Sequence, residues 1–340
     1  MAAQILKGKS PAQVLQIVPL LFSVCGRAQG AAAGAALQAA QQADTAASAS
    51  VERMIVSEAI QEHLWRLMLD WPKLLGLPQQ EKLFAGWYAT LRKIGAGEVG
   101  MEMFMHEFEH CWLGMPVSEW LALDSYRALQ IGFSKAHSPV AQLLFRLDEL
   151  SHRGQGQNAL RLLPAWTAAK VNNACDGKWN AAFSARPEWL DAAAEAGAWT
   201  YYPNDPLLRD VWQKSGSAAL TRVLARLLDV VEMASGRAVP RLDVTSPTAG
   251  EGIAVVRTAR GLLMHHVRLA AEQVAEYVIV APTEWNFHPE GAFAQDMFGV
   301  VEKDVESLKQ LAHIAALSLD PCVAYEIELK HLGNSENSKF

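Results

Sequence analysis

Two groups of residues in this sequence have side chains that could bind a metal or act as a nucleophile. The first is the string His106-Glu107-Phe108-Glu109-His110, in which the histidines are four residues apart. On a helix this spacing puts both imidazoles on one face, and the pattern matches the short His-Glu-x-x-His motif of zinc hydrolases. The motif is loose, and the surrounding Met, Phe and Trp residues are typical of a buried helix. A structural role is therefore the favoured interpretation, with a zinc hydrolase as a minor alternative.

The second group is formed by the four cysteines, Cys25, Cys111, Cys175 and Cys322. Four cysteines in 340 residues do not make a disulfide framework, so we expect free thiols in a reducing compartment. Cys25 and Cys322 each follow a predicted helix in a turn-like sequence, at opposite ends of the chain. By residue type alone, each of the four is more often a buried small hydrophobe than a ligand.

The remaining chemical motifs are weak. His265 and His266 lie on a predicted strand, where successive side chains face opposite sides, so they cannot easily bind one ion together. The sequence contains no phosphate-binding glycine loop and no Gly-x-Ser-x-Gly nucleophile elbow.

Composition excludes several function classes. Acidic residues outnumber basic ones, 36 to 30, which argues against nucleic acid as a partner. No apolar run approaches the roughly 20 residues of a membrane-spanning helix. The N-terminal apolar run resembles a signal peptide, but Ser10-Pro11-Ala12-Gln13 is typical of a helix start, so a cytoplasmic location is the prediction.

The elements that must position these residues are mostly helices. Apolar residues recur at helical spacing between Met54 and Met68, and Trp71-Pro72 is expected to end that helix. The sequence predicts further helices over 79–93, 98–113, 117–131, 139–151, 217–234 and 300–318. Three short β-branched segments, 253–258, 262–269 and 274–280, predict an antiparallel meander.

Other stretches are less regular. Residues 152–205 are expected to be irregular, and the alanine-rich stretch 30–50 is a close-packed helix or a linker. The fold class is therefore mainly α with a small antiparallel β element near the C-terminus (α+β). We expect one compact domain over residues 1–340, in which 331–340 form a flexible tail.

Several segments, taken together, resemble the large subunit of nickel–iron hydrogenases. They occur in the order of that family, from the first residues to the last, and residues 75–240 carry no resemblance. The matching segments are Ile5–Pro11, Leu20–Cys25, Val51–Leu69 with Glu62-His63, Arg257–Gly261, Val280–Asn286 and Leu319–Ala324.

The departures from that family are equally informative. A catalytic large subunit holds nickel with two Cys-x-x-Cys pairs, but here Phe22 and Tyr325 each replace one cysteine of a pair. Gln29 and Glu328 stand where the family has histidines, Ala3 stands where it has a proton-transfer glutamate, and Ala259 replaces a proline. A four-thiolate nickel site therefore cannot form, and we expect no hydrogenase activity.

A degenerate large subunit of this kind resembles the HupK/HoxV family of hydrogenase expression/formation proteins. The resemblance implies a non-enzymatic scaffold that holds or relays an Fe(CN)2CO fragment transiently, without nickel. It implies that Cys25 and Cys322 bind the iron, that Arg260 donates to one cyanide and that Thr283 donates to the other. The implied partners are the small iron-delivery chaperone, other maturation proteins and the immature large subunit.

Two questions stay open at the level of sequence. Cys25 matches a cysteine that bridges to iron in the family, whereas Cys322 matches a terminal nickel ligand. Either the iron is displaced towards Cys322, or the Cys322 side chain moves to meet it, or a partner supplies one thiolate. The alternative function is a metal-free interaction chaperone that binds maturation proteins or the immature large subunit.

Overall fold

The computed structural model describes residues 2–22, 24–43, 48–135, 137–151, 161–175, 177–237 and 241–330. Helices make up most of this part of the chain, and short 3-10 turns cover Ala2–Leu6 and Ala198–Tyr201. The helices are α1 (Pro11–Leu21), α2 (Gly26–Ala40), α3 (Ala49–Trp65), α4 (Trp71–Leu75), α5 (Glu81–Ala96), α6 (Glu102–Glu107), α7 (Val117–Leu121), α8 (Tyr126–Lys135), α9 (Pro139–Ser151), α10 (Ala168–Cys175), α11 (Ala181–Ala185), α12 (Pro206–Ser215), α13 (Ala218–Ala234), α14 (Pro282–Asn286), α15 (Ala292–Met297) and α16 (Val305–Leu319).

The β element is one antiparallel sheet with the strand order β1-β2-β3-β4. Its strands are β1 (Leu242–Thr245), β2 (Glu251–Thr258), β3 (Gly261–Ala270) and β4 (Gln273–Val280). Alternate residues of β2 enter different apolar clusters: Ala254 and Val256 pack with α1 and α2, whereas Ile253 and Val255 pack with residues of 163–196. Both faces of the sheet are therefore covered, which explains its nearly continuous apolar sequence.

Helix α13 is the centre of the largest apolar cluster, which gathers α3 to α9 around it. Nearly every residue of α13 is buried, including Arg222, Arg226 and Asp229. Ser217 begins the helix by accepting a hydrogen bond from the backbone N–H of Leu220. Because α13 carries buried charges on several sides, it joins separate parts of the chain through ion pairs as well as through packing.

The predicted fold class is confirmed, and so is the meander, although the sequence reading did not predict β1. The Ser10 start is also confirmed, since Ser10 and Gln13 form a reciprocal capping box at the start of α1. The alanine-rich stretch 30–50 is helical in its first part, because α2 extends to Ala40. Predicted helix 217–234 matches α13 to within one residue.

The predicted helix boundaries contain three larger errors. Trp71-Pro72 does not end the third helix: a π-helical turn over Arg66–Asp70 precedes Pro72, and the helical backbone continues through α4. Gly76, with a φ of 71°, ends that run instead. The predicted helix 117–131 is two helices, α7 and α8, and the last helix begins at Val305 rather than 300.

Three further expectations concern membrane spans, the C-terminal tail and the number of domains. In the described part of the chain, no helix is both long and apolar enough to cross a lipid bilayer. The expected tail 331–340 lies outside the described residues. The assignment of the whole chain to one domain stays a prediction.

Candidate functional site

Cys25 lies in a strained turn between α1 and α2. Its φ of 56° places it in the left-handed region, which non-glycine residues enter at an energetic cost. The carboxylate of Glu62 on α3 holds this turn, because one oxygen accepts the Cys25 backbone N–H at 2.7 Å and the other accepts the thiol at 3.2 Å. The side chain of Glu62 thus fixes both the backbone and the sulfur of Cys25.

Arg260 approaches the same sulfur from the tight turn between β2 and β3. Its Nη1 lies 3.1 Å from Cys25 Sγ and 2.6 Å from Glu62 Oε2. Its Nε lies 3.2 Å from the Asp320 carboxylate, at the end of α16. Arg260 is only 2% exposed, so this guanidinium is oriented by two carboxylates and directed at a thiol in a nearly dry environment.

Asp320 collects three arginines at one carboxylate. Arg226 of α13 donates to Oδ2 at 2.8 Å, and Arg66 donates to Oδ1 at 2.6 Å. Arg66 also donates to the Pro321 carbonyl at 3.3 Å. Asp320 itself has a φ of 52°, so the second cysteine segment, like the first, begins with a left-handed residue.

Cys322 lies two residues after Asp320 and contacts Thr283 in the first turn of α14. The Thr283 hydroxyl oxygen accepts the Cys322 backbone N–H at 3.2 Å and lies 3.0 Å from Cys322 Sγ. Because the oxygen accepts that N–H, its own hydrogen is available to the sulfur. Asn286 positions α14 by donating to the carbonyls of Ala196 and Leu319, at 2.8 Å and 3.3 Å.

The structure thus brings the four predicted site residues together as two pairs. Cys25 lies against Arg260, and Cys322 lies against Thr283. The pairs are joined through Asp320, which contacts Arg260 and precedes Cys322 by two residues. Whether these residues bind iron stays a prediction. The Cys25–Arg260 hydrogen bond spans 235 residues of sequence, and the Cys322–Thr283 contact spans 39.

The electrostatics of the two acidic groups differ. Burial, the neighbouring Glu62 carboxylate and Glu58 raise the pKa of the Cys25 thiol well above its ordinary value, although Arg260 opposes them. Burial also disfavours the ionised form of Asp320, but Arg260, Arg226 and Arg66 outweigh it and lower the pKa of that carboxyl. Cys25 is therefore a protonated thiol in this state, beside a carboxylate–arginine cluster that is ionised at neutral pH.

Glu58 forms a second carboxylate layer one helical turn before Glu62. Its oxygens accept the backbone N–H groups of Arg27 and Ala28, at 2.9 Å and 2.8 Å, at the start of α2. Burial and the nearby Glu62 raise the pKa of Glu58 to about 7. The pair thus caps α2 while holding Cys25 in place.

The sequence reading missed the positioning residues of this site. In the sequence, Glu62 and Asp320 stand out only as parts of the family-like segments, and Glu58, Arg66 and Arg226 are not among the candidate site residues. Glu58 and Glu62, four residues apart on one face of α3, were the available signal. The arginines gave none, because their partner Asp320 is more than 90 residues distant in sequence.

The other histidine groups do not join this site. His265 bonds to Gln29 and Tyr277, both at 2.8 Å, and burial lowers its pKa to about 3. His266 faces the other side of the sheet, where it stacks on Trp179 and bonds to Glu251. The prediction that the two histidines face opposite sides is confirmed.

The His106–His110 segment also has a structural arrangement. Glu107, the residue that a zinc hydrolase would use as a base, accepts the indole N–H of Trp87 at 2.7 Å. His110 bonds through Nδ1 to the His106 carbonyl. Across the described residues, no group of three or more His, Cys, Asp or Glu side chains is arranged to hold a metal ion.

Comparison with known proteins relates this chain to nickel-dependent hydrogenases. The family model of nickel-dependent hydrogenases matches residues 213–327. The Ni-Fe-Se hydrogenase from D. vulgaris Hildenborough in the reduced state has a TM-score of 0.60 at 16% identity, covering 94% of this chain and 90% of that one. An NAD+-reducing [NiFe]-hydrogenase gives a TM-score of 0.57 at 13% identity. The chain therefore has the fold of a nickel–iron hydrogenase large subunit.

Full-length relatives define the family within that class. The hydrogenase expression/formation protein HupK of Azotobacter vinelandii is 30% identical over 97% of this chain and 91% of its own length. HoxV of Cupriavidus necator, another hydrogenase expression/formation protein, is 28% identical over 96% of this chain and 90% of its own. The chain belongs to the HupK/HoxV family of hydrogenase expression/formation proteins.

Proposed function

We propose that this protein is a non-catalytic scaffold of nickel–iron hydrogenase maturation, which holds or relays an Fe(CN)2CO fragment before its insertion into the large subunit. The observation that carries the proposal is the pairing of each retained cysteine with a hydrogen-bond donor. Arg260 Nη1 lies 3.1 Å from Cys25 Sγ, and the Thr283 hydroxyl lies 3.0 Å from Cys322 Sγ.

The chemistry of the fragment fits this donor set. Thiolates are soft ligands that suit low-spin iron, and cyanide nitrogens accept hydrogen bonds. A guanidinium oriented by Glu62 and Asp320 is a strong donor in a site from which water is excluded. The Thr283 hydroxyl offers a second, neutral donor near the other cysteine. Arg260 and Thr283 would therefore orient the cyanides while the two sulfurs bind the metal.

Loading requires a proton to leave Cys25. The thiol donates to Glu62 Oε2 at 3.2 Å, and Arg260 already lies beside the sulfur to stabilise the thiolate. The raised pKa of Cys25 means that the thiolate is unfavourable without a cation or metal to compensate it. Binding is therefore coupled to proton release, and an unloaded site stays protonated and unreactive.

We expect no nickel in this site because of its ligand set. Phe22 and Tyr325 stand where a catalytic large subunit has its remaining cysteines, and neither side chain can bind as a thiolate.

We propose that a partner completes the iron coordination, with the iron-delivery chaperone and the immature large subunit as the candidate partners. The protein would carry out this transfer in the cytoplasm, where thiols stay reduced.

The test is an infrared spectrum of the protein, purified without oxygen from cells that express the maturation machinery. We expect cyanide and carbonyl stretching bands that disappear in Cys25→Ser and in Cys322→Ser. Cys175→Ser is the matched control, because Cys175 is also buried but packs in a different apolar cluster. Its bands should match those of the unmodified protein.

Two results would contradict the proposal. Bands that survive both site substitutions would show that the fragment binds elsewhere. If bands and bound iron are both absent while maturation proceeds normally in the Cys25→Ser and Cys322→Ser strains, the protein is a metal-free interaction chaperone instead.

A further inference from the structure

The outer edge of β4 is a strand edge that is only partly paired. Leu269 donates its backbone N–H to Gly250, so the odd-numbered residues of β3 direct their backbone groups to the β2 side. Tyr277 and Ile279 stand opposite Val267 and His265, and their own backbone groups therefore point away from the sheet.

Neighbouring segments satisfy the two ends of this edge and leave its middle open. Val274 exchanges hydrogen bonds with Gly8 and Lys9 at one end. Ser184 of α11 donates to the Ile279 carbonyl at 2.5 Å at the other. Between them, the N–H and C=O of Tyr277 and the N–H of Ile279 form no hydrogen bond to any described residue.

These open groups lie in a groove of about 370 Å³. The 3-10 turn Ala2–Leu6 forms one wall and α11 forms the other, while Glu284 closes one side. The open stretch from Tyr277 to Ile279 is about 7 Å long at the usual rise per residue, which fits two or three residues of an extended peptide. The lining carries both charges, including Lys7 and the Arg268–Glu276 pair, as a surface for a polar peptide would.

We propose that this groove binds an extended strand of a maturation partner, which adds to β4 and pairs with Tyr277 and Ile279. An edge with two outward donors and one acceptor is completed by another backbone, since a strand supplies matching groups at the right spacing. Glu284 lines the groove and follows Thr283 directly, and Thr283 contacts Cys322. A bound strand would therefore lie beside the helix that contacts Cys322, a consequence that rests on the proposed function.

A second copy of this chain fits the groove less well than a lone strand. The Ala2–Leu6 turn and α11 contact β4 on either side of the open edge. Two copies pairing edge to edge would bring these walls against each other before their backbones reached the roughly 4.8 Å of a strand pair. A single extended segment has no such walls.

The experiment measures amide hydrogen exchange of the full chain in the presence of purified probes, first the iron-delivery chaperone and then the immature large subunit. We expect one probe to slow exchange at Tyr277 and Ile279 at least tenfold. The inward amides of Glu276 and Val278, already paired with β3, should change little. Ala181→Trp, which fills the groove, should abolish the protection, whereas Ala182→Trp, exposed on the same helix but outside the groove, should not.

Three outcomes would overturn the inference. The inference fails if exchange at both amides is unaffected by either probe, or if exchange is slowed equally in the Ala181→Trp variant. Protection that instead grows with the concentration of this chain alone identifies a second copy as the occupant. Infrared spectra of the same variants distinguish the two proposals. If the groove binds no strand but the scaffold proposal is correct, the cyanide and carbonyl bands that depend on Cys25 are still observed.

Discussion

At the scale of residues, the site depends on carboxylates that restrain a cysteine rather than bind a ligand. Glu62 holds the backbone and sulfur of Cys25, and Glu58 holds the following turn of backbone. Both carboxylates lie at the start of α2, where the helix dipole favours negative charge. Burial raises the pKa of Glu58, and the nearby Glu62 carboxylate raises it further, because two negative charges at this distance repel each other.

This arrangement predicts a pH dependence of stability. The pKa of Glu58 is raised from 4.5 to about 7 on folding, so the folded chain holds a proton that the unfolded chain has lost. The stabilisation is complete below about pH 4.5 and is lost as the pH rises through 7, with a total on the order of 3 kcal/mol. Urea unfolding at pH 5 and pH 8 should show this loss in the unmodified protein and not in Glu58→Gln. Parallel pH profiles for the two proteins would refute the assignment.

At the scale of elements, the cysteine turn is positioned by the close packing of α2 on the sheet. Small residues on α2 let the helix backbone approach β2, and Gly252 lies at the contact. A Cβ at this position would come 1.9 Å from the Ala36 carbonyl oxygen and 2.7 Å from the Ala40 nitrogen. The small side chains of α2 therefore allow its close packing on β2. This agrees with the interpretation of the alanine-rich stretch as a close-packed helix.

Gly252→Ala should consequently be strongly destabilising. The atoms it would meet are backbone, which cannot rotate away, so we expect a loss of about 3 kcal/mol or more in the free energy of unfolding. Gly86→Ala is the control, since no atom lies near the added methyl on α5 and the helix propensity of alanine is higher by about 1 kcal/mol. A similar effect of both substitutions on urea unfolding would show that the helix–sheet contact is loose.

At the scale of the whole molecule, Asp320 joins four distant parts of the chain. Its carboxylate meets Arg66 after α3, Arg226 of α13 and Arg260 of the β2–β3 turn, while its backbone ends α16. Removing one partner of a buried ionic cluster leaves uncompensated charges, and this lowers the free energy of unfolding strongly. The two cysteine segments therefore share one electrostatic anchor.

Asp320→Asn should lower the free energy of unfolding by about 3 to 5 kcal/mol at pH 7. Because the folded pKa of Asp320 is depressed, its contribution is present above the unfolded value near 3.8 and is lost as the pH falls towards the folded pKa. The difference between the two proteins should thus shrink on acidification below about pH 4. Glu306→Gln, at an exposed pair on α16, should cost less than about 1 kcal/mol. An equal cost for the two substitutions would mean that the cluster contributes nothing special.

The sequence by itself determined the fold class, most of the longer helices and the three-stranded meander, and its family resemblance suggested the four residues of the proposed site. Helical periodicity, cap residues and family-like segments can all be recognised from short stretches of sequence. Only the tertiary structure decided how these residues are held. Glu58, Glu62, Arg66 and Arg226 act on Cys25 and Asp320 from other elements, and an ion pair across 94 or 254 residues leaves no pattern in local sequence. The open edge of β4 was likewise decided in three dimensions, because whether a strand is at an edge depends on what packs beside it.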